Sequence, residues 1–401
     1  MKVTKDTLLK AGLAAALVLL YAILLIEFTR TTYFYQLYVT GGGAHVEYDK
    51  AVVKAITSQS IEKDNLTGDL KEGYQNLKVK ILTGYRKGQV ADVKNIINYQ
   101  TNVVTKVGQT IVVDVDSASS SHFTVSVYSQ NREPVVYILI FLFIAALCLI
   151  GGKRGLKSVL GIVITLANVF LLFIPMLYRG YPPVLSSAIV AVLTACACML
   201  LLNGFSPKSA VSILGTVGGV AAAALAAGLF GMFLHVTGYS MNETDALIQI
   251  SGQTKLQVGQ LLFAGILIAS LGAVMDLAIS IATSVNEVYM TNTGLSRRQL
   301  FASGMNVGRD MMGTMSNTLI LAFTGTSLNM LILLYAYGMD YYQLINSNLI
   351  VVELIQALTG GLAVVLTVPF VSLIAMWLIP RYAKQNTSLQ TSPADHPGMD
   401  L

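Results

Sequence analysis

Asp276 and the polar residues that follow it have the types and spacing that a path for protons or cations through a membrane needs. Asp276 lies in the apolar run GAVMDLAISIATSVNE (272–287), and at about 100° per residue the polar positions after it share one helical face. These positions are Ser280, Thr283, Ser284 and Glu287. A carboxyl group among apolar residues is costly to keep charged, so its presence favours a role in binding a proton or cation. The alternative is a structural polar contact that fixes helix packing.

The next apolar run, NVGRDMMGTMSNTLILAFTGTSLN (306–329), carries a matching set of polar residues. The candidates are Arg309, Asp310, Thr314, Asn317, Thr318 and Thr324. They fall roughly on one side of a helix, so they are predicted to line or support the same path. However, Arg309 and Asp310 are also typical of a helix cap joined to a positive anchor, and Asn317 and Thr318 of interhelical hydrogen bonds. Both interpretations stay open, and Arg309 and Asp310 could pair with Glu287 or with each other.

Signatures of catalysis and of bound metal ions are missing from the sequence. It contains no G-x-S-x-G, H-E-x-x-H or phosphate-binding loop motif, and its four histidines are widely spread. The three cysteines, Cys148, Cys196 and Cys198, lie inside apolar runs and are interpreted as packing residues. We therefore expect neither an enzyme nor a cofactor, with no catalytic residues and no metal site.

The composition indicates which elements must carry these residues. The chain has 401 residues, of which 54% are hydrophobic and 12% are charged, whereas a soluble domain has about 25% charged residues. A soluble protein of this length cannot hide so much apolar surface, so the sequence predicts a membrane protein and excludes a soluble enzyme or a disordered chain. The formal charge of +5 is too small and too scattered to suggest a nucleic acid as a partner.

The distribution of charge predicts a mainly α membrane protein with a small extracytoplasmic β-rich domain between its first two helices. The predicted domains are an N-terminal membrane anchor helix over 1–29, the β-rich domain over 30–133, a seven-helix membrane domain over 134–382 and a disordered cytoplasmic tail over 383–401. The anchor is expected to stay uncleaved, because no small-residue cleavage site follows its apolar run.

Eight apolar runs are predicted to cross the membrane. They are 11–26, 135–150, 158–178, 184–202, 209–235, 260–285, 311–337 and 349–379. Both termini then lie on one side, with twelve Lys and Arg residues inside and only Arg179 and Lys255 in the short outside loops. This is the pattern of the positive-inside rule, so it predicts cytoplasmic termini and places 30–133 outside.

Smaller features of the sequence make local predictions. Alternating β-formers predict strands that include 78–84, 110–116 and 122–129, whereas crowded charges favour a helix over 58–77. Small residues four apart in the fifth run, Gly215 and Gly219 among them, predict close helix packing. The outside loop 236–259 alternates apolar and polar residues, which indicates an amphipathic helix on the membrane surface.

Two motifs give the sequence a family resemblance. GAVMDLAISIATSVNE and GRDMMGTMSNTLILAFTGTSL lie in the stretch from Gly151 to Tyr382, which resembles the YibE/F-like bacterial membrane proteins. The region from Lys78 to Val115, with VKILTG and VGQTIVV, is similar to the extracytoplasmic part of that family. The resemblance implies a bacterial multi-pass plasma-membrane protein, and it adds little about activity because the family has no settled biochemical role.

The order of elements around Asp276 is also similar to that in the resistance-nodulation-division exporters and the SecD/SecF proteins. In those proteins an intramembrane acid on one helix is followed by a short basic cytoplasmic loop and a helix rich in Thr and Ser. Here the basic loop is LSRRQLFASGMNVGRD (295–310), and Thr314 to Thr318 follow it. This weaker similarity implies proton-coupled export.

The sequence therefore predicts a plasma-membrane transporter or export-assisting protein, with proton coupling through Asp276. The alternative is a non-transporting scaffold or sensor whose extracytoplasmic domain binds an envelope partner. Expected partners are the lipid bilayer, an unidentified substrate, and a second copy or a paralogous membrane protein. Polar faces of 260–285 and 311–337 that meet around a hydrated cavity would favour transport, and faces that pair tightly would favour a scaffold.

Overall fold

A computed structural model describes residue 26 and residues 46–64, 67–116, 123–241 and 244–390. The predicted anchor helix therefore lies outside the described residues except for Ile26, and so does the predicted tail beyond Gln390. The described residues belong to two compact units, one within 31–150 and the other formed by Ile26 and the residues from Gly151 onwards. Each unit is described by itself below.

The unit within 31–150 contains a five-stranded antiparallel sheet. Its strands are β1 (Val46–Lys63), β2 (Lys71–Ile81), β3 (Val90–Ile97), β4 (Thr110–Asp116) and β5 (Thr124–Gln130), in the order β3-β2-β1-β4-β5. The sheet curves into a half-barrel, because β3 also contacts β5. Alternate residues such as Leu77, Val79 and Ile81 point into its core and are almost fully buried. The β-rich prediction is confirmed, and β4 coincides with the predicted strand 110–116.

The predicted helix over 58–77 is wrong, because this segment forms the hairpin of β1 and β2. The two strands pair from Ala51 opposite Ile81 to Lys63 opposite Lys71. At the turn, the Asp64 carboxylate accepts hydrogen bonds from the Thr67 amide and hydroxyl groups, at 3.0 and 2.7 Å. The charges are crowded here because the end of the hairpin is exposed to solvent. A high density of charged residues therefore indicates exposure and does not indicate a helix.

A buried polar cluster fixes the connection between β3 and β4 to the sheet. Gln75 is 1% exposed, and its side-chain carbonyl accepts a hydrogen bond from the Thr105 amide at 2.9 Å. The Gln75 amide group donates to Gln59 Oε1 at 2.9 Å and to the Thr105 carbonyl at 3.1 Å. Asn95 donates to the Val103 carbonyl at 2.7 Å. These bonds satisfy polar groups that would otherwise be buried without partners.

Helices make up the remainder of the described chain. They are α1 (Glu133–Ala167), a π-helix (Asn168–Phe173), α2 (Ile174–Tyr178), α3 (Pro183–Asn203), α4 (Pro207–Phe233), α5 (Thr244–Gln253), α6 (Leu261–Thr291), α7 (Arg297–Thr326), α8 (Leu328–Ala336), α9 (Tyr341–Ile345) and α10 (Asn348–Gln390). Short 3₁₀ turns lie at Gly238–Ser240 and Val258–Gln260. The helix α5 falls within the loop that was predicted to be an amphipathic helix.

Five helical segments of the described chain are long and apolar enough to cross a membrane. They are Glu133–Tyr178, Pro183–Asn203, Pro207–Phe233, Val258–Thr291 and Asn348–Ala383. A sixth is counted if α7 and α8, which bend by 63° at their junction, form one broken span. The chain is therefore a membrane protein, while the predicted number of eight spans is not confirmed and stays a prediction.

The longest of these segments contains a break at Gly152. A continuous helix of its 46 residues would extend about 69 Å at 1.5 Å per residue, which is roughly twice the thickness of the hydrocarbon region. Gly152 has φ 53° and ψ −129°, values that interrupt the helix and that glycine adopts without steric cost. The break lies between the two runs, 135–150 and 158–178, that were predicted to be separate spans.

Glycines bring α4 and α7 close to α10. A methyl group built on Gly215 or Gly219 of α4 would collide with Val371 or Thr367 of α10. One built on Gly304 of α7 would lie 2.7 Å from the Ser372 hydroxyl. The predicted small-residue packing of α4 is thus confirmed for Gly215 and Gly219, and α7 uses the same device, in which close backbones gain van der Waals contact.

The helix α7 begins fourteen residues before the predicted start at 311, so the predicted basic loop over 295–310 is wrong over most of its length. Ser296 caps α7: its hydroxyl accepts a hydrogen bond from the Gln299 amide, and Gln299 Oε1 accepts one from the Ser296 amide at 2.9 Å. The spacing Ser-x-x-Gln is the sequence signal of such a capping box. The helix also carries two basic residues in its first turn, which is why a hydropathy pattern alone does not detect its start.

Candidate functional site

Asp276 lies at the midpoint of α6, on a narrow exposed strip of an otherwise buried helix. It is the sixteenth of 31 residues, so about 22 Å of helix extends on either side of it. From Leu261 to Asn286 the only exposed positions are Gly265, Ala269, Gly272 and Asp276. Their spacing of 4, 3 and 4 keeps them on one helical face.

The rest of the α6 circumference is covered by neighbouring helices. It contacts α3, α4, α7 and α10, and Leu277, Ile281 and Val285 are fully buried. The exposed strip is therefore the part of α6 that no described helix covers. Three of its four residues are Gly or Ala, so the strip carries little side-chain bulk, and Asp276 provides its only charge.

The polar residues predicted to follow Asp276 continue the strip toward the C-terminal end of α6. Ser280 and Thr283 are half-buried, and Glu287 is exposed. The Ser280 hydroxyl donates to the Asp276 main-chain carbonyl at 2.7 Å, so it does not bind the Asp276 carboxylate. Within the described part of the chain, that carboxylate has no hydrogen-bond or ion-pair partner.

All of the candidates on α7 lie on exposed positions of that helix. They are Arg309, Asp310, Thr314, Asn317, Thr318 and Thr324. Hydroxyl groups here bond to their own helix: Thr314 donates to the Met311 carbonyl and Thr318 to the Thr314 carbonyl, both at 2.9 Å. These hydroxyls therefore need no outside partner.

The charged and amide side chains of α7 differ from its hydroxyls in this respect. Among the described residues, neither the Asn317 amide nor the charged groups of Arg309 and Asp310 have a hydrogen bond or ion pair. The pairing of Arg309 or Asp310 with Glu287, which the sequence left open, is thus not formed within the described chain. These groups are available to water or to another molecule.

The packing of α6 against α7 brings Asp276 level with the middle of the α7 candidates. The two helices run in opposite directions, and a methyl group built on Gly304 of α7 would lie 3.2 Å from Val285 of α6. Asp276 is nine residues before Val285, and Gly313 is nine residues after Gly304, so both lie at about the same height. Thr314 and Asn317 are then within roughly 6 Å of that height, at 1.5 Å per residue.

Thr318 lies on the side of α7 that faces α6. Thr318 is fourteen residues after Gly304, and at 100° per residue its side chain points in a direction about 40° away from that of Gly304 around the helix axis. Gly304 lies between Ser372 of α10 and Val285 of α6. Gly308, which is turned by about 40° in the other direction, contacts Val368 of α10, so the side of Thr318 is the side of α6, and the exposure of Thr318 indicates that the surface there is open. Within the described part of the chain, the polar residues of the two helices thus do not bury each other, because they belong to the exposed surface.

The stripe of small residues before Asp276 and the exposed Asn306 and Gly313 were not among the predicted site residues. A signal for the stripe was present, since Gly265, Ala269 and Gly272 share the helical face of Asp276. No group of three or more potential metal ligands occurs among the residues that the structure describes. A cavity of about 410 Å³ lies between Phe230, Leu354 and Leu358 and is apolar; none of the candidate residues lines it.

Comparison with known proteins identifies a family and no individual relative. A family model described as YibE/F-like protein matches residues 139–381, which is more than half of the chain and includes α6 and α7 with all of the candidate residues. No curated protein and no solved structure matches the chain. The similarity to the resistance-nodulation-division exporters and SecD/SecF proteins is not shown by these comparisons.

Proposed function

The chain belongs to the YibE/F-like protein family, and we propose that it is a plasma-membrane transporter or export-assisting protein that is coupled to protons through Asp276. The observation that carries this proposal is the position of Asp276 at the midpoint of a 31-residue apolar helix, on an exposed strip and without a partner among the described residues. An acid at this depth is expensive to charge, and proteins place such residues mainly on ion or proton pathways.

In the proposed mechanism, Asp276 binds the coupling proton. The small residues Gly265, Ala269 and Gly272 leave room beside α6 on one side of Asp276. Ser280 and Thr283 continue the strip on the other side, toward Glu287 at the helix end. A proton that reaches Asp276 neutralises its carboxylate, which lowers the cost of moving that group relative to the hydrocarbon, and release of the proton restores the charge.

Residues of α7 support the path from the neighbouring helix in this proposal. Thr314 and Thr318 have hydroxyl groups that are already bonded to carbonyls of their own helix, so each still has an oxygen lone pair to offer to water. Arg309 and Asp310 lie closer to the α6–α7 connection. Asn317 lies thirteen residues from Gly304 and thus about 140° around α7 from it, so its unbonded amide is on the side of α7 that points away from α6.

The proposed orientation places both termini and the α6–α7 connection in the cytoplasm. It follows from the excess of Lys and Arg in the segments that would be inside, including Arg297 and Arg298 at the start of α7. The guanidinium group of Arg297 lies 4.0 Å from the ring centre of Trp377, and aromatic and basic residues together are typical of a membrane–water interface. The β-sheet unit is then extracytoplasmic, where it would bind a substrate or partner.

Proton flux in proteoliposomes tests the proposal. Purified protein is reconstituted with a pH-sensitive dye inside the vesicles, and a potassium gradient with valinomycin sets the membrane potential. Wild-type protein is expected to admit protons, and Asp276→Asn is expected to lower the rate at least tenfold. Glu353→Gln is the matched control, because Glu353 is an acid in another apolar span, α10, and is not part of the proposed path. Full flux with Asp276→Asn, or equal losses in both variants, would refute the coupling role.

The second candidate function is a non-transporting scaffold or sensor. The observation that favours it is that Asp276 and the α7 candidates lie on the exposed surface, which is also where a membrane partner would bind. In that case the wild-type protein carries no flux above that of empty liposomes, and Asp276→Asn changes the recovery of a partner without changing proton permeability.

A further inference from the structure

The exposed side of α7 carries a row of polar and small residues with the spacing of a helix–helix contact. We define the α7 outer face as Asn306, Asp310, Gly313, Asn317 and Thr324, all of them exposed. With the half-buried Ile320, their spacing is 4, 3, 4, 3 and 4 residues. This is the 3.5-residue repeat by which two helices wrap around each other along a continuous seam.

Lipid is a poor environment for this face. The Asn317 amide, the Asp310 carboxylate and the guanidinium group of Arg309, which borders this face, have no partners among the described residues, and hydrocarbon offers no hydrogen bonds. The helix α7 is long and apolar enough to cross a membrane only together with α8, as expected for a helix with one polar side. Such a face in a membrane helix is normally covered by protein or water.

We propose that the α7 outer face is the interface at which a second copy of this chain binds. Two copies inserted in the same direction are related by a two-fold axis along the membrane normal, so the two α7 helices pack parallel and each residue keeps its depth. Gly313 lies near the axis and allows close approach of the backbones. Asn317, one turn further along, meets Asn317 of the second copy, and each amide can both donate and accept a hydrogen bond.

Charge complementarity is the reason for choosing a second copy as the occupant. Arg309 and Asp310 are adjacent in sequence, so they lie at nearly the same depth but about 100° apart around α7. A two-fold axis between two parallel copies of α7 therefore places Arg309 of each copy beside Asp310 of the other. Two reciprocal ion pairs form, and all four charges find partners at one depth. A single surface that carries both members of a pair in this order is self-complementary, which is the requirement of a symmetric interface. This inference does not depend on transport.

Cysteine cross-linking in native membranes tests the interface. The background has Cys148, Cys196 and Cys198 replaced by Ala, and Asn317→Cys is introduced alone. Copper phenanthroline is expected to convert more than half of this variant into a disulfide-linked species of twice the monomer mass. Leu214→Cys on α4 is the control, because Leu214 is 48% exposed and belongs to another helix. Ser212 and Gly219, which lie on either side of it in the sequence, contact α6 within two residues of Asp276, so Leu214 lies near the depth of Asp276. The Leu214→Cys variant is expected to stay below a tenth.

Equal yields at Asn317→Cys and Leu214→Cys would overturn the inference, and so would a cross-linked product of another mass, which would indicate a different membrane protein as the partner. A charge exchange tests the ion pairs in the same assay. Arg309→Asp and Asp310→Arg alone are each expected to lower the disulfide yield at least fivefold, and the double exchange is expected to restore it. A double variant as poor as the single variants would refute the reciprocal pairing.

Discussion

The contact of Gly308 with α10 allows a quantitative test of the helix packing that holds α7 in place. Gly308 is buried, and a methyl group built on it would overlap the Val368 side chain, coming within 2.9 Å of Cγ2 and even closer to Cγ1. Val368 is itself only 1% exposed, so it cannot swing into solvent or lipid to make room. Gly308→Ala must therefore push α7 away from α10 or force Val368 from its rotamer.

Overpacking of this kind costs about 1–3 kcal/mol. The gain in helix propensity from Gly to Ala offsets less than about 1 kcal/mol of that cost. Because the buried Val368 cannot move aside, we expect a cost in the upper part of that range, about 2–3 kcal/mol, and so a net destabilisation of about 1–2 kcal/mol for Gly308→Ala. The assay is the temperature of half-loss of the monodisperse peak when detergent-solubilised protein is heated before gel filtration, calibrated with a denaturant titration of the same sample.

Two further variants separate this mechanism from a general sensitivity of α7. Gly325→Ala in the same helix is the matched control, because nothing lies within 4 Å of a methyl group built there, and its stability should not fall. The double variant Gly308→Ala with Val368→Ala lacks both Cγ atoms that overlap the new methyl group, and its remaining contact, with the Cβ atom of residue 368, is 3.0 Å. Its loss should therefore be smaller than the sum of the single losses by at least about 1 kcal/mol. Additive losses, or an unchanged Gly308→Ala, would refute the assigned contact.

Two other predictions concern hydrogen bonds that the structure assigns to single side chains. Gln75→Leu removes the oxygen that accepts a hydrogen bond from the Thr105 amide, and loss of such a buried partner costs about 1–3 kcal/mol. Hydrogen–deuterium exchange of the Thr105 amide should therefore accelerate, about tenfold for each 1.4 kcal/mol lost. Gln100→Leu, at an exposed position, should leave this exchange rate unchanged. Ser296→Ala removes the cap of α7 and should cost about 0.5–2 kcal/mol, seen as faster exchange of the amides in its first turn, whereas Thr293→Ala, at an exposed position before the cap, should have no such effect.

The sequence predicted those features in which a local pattern directly determines structure. The alternation in 110–116 identified β4, and glycines four apart in α4 identified residues that contact α10. Two errors have one cause, namely that charge density was used as a structural signal. Crowded charges suggested a helix at the β1–β2 hairpin, and basic residues suggested a loop where α7 begins. In both cases the charges mark exposure, and strand pairing or a cap determines the element.

The environment of the candidate site could not be predicted from the sequence. Helical period places Asp276 and the residues after it on one face, but it does not say what that face contacts. Gly272 and Asp276 would show the same spacing in a buried contact, around an enclosed channel or on the exterior of the bundle. Only the packing of α3, α4, α7 and α10 around the rest of α6 identifies the face as exposed.

Reaction of a cysteine at position 276 with a membrane-impermeant reagent tests the central claim most directly, because the proposed path requires water at the midpoint of α6. In intact cells, with Cys148, Cys196 and Cys198 replaced by Ala, the charged thiol reagent MTSET is expected to modify Asp276→Cys. It should spare Leu225→Cys, which replaces an apolar residue that is 68% exposed on α4. Modification at position 276 and not at 225 is the result that the account predicts. An Asp276→Cys variant that reacts only after detergent is added would contradict it.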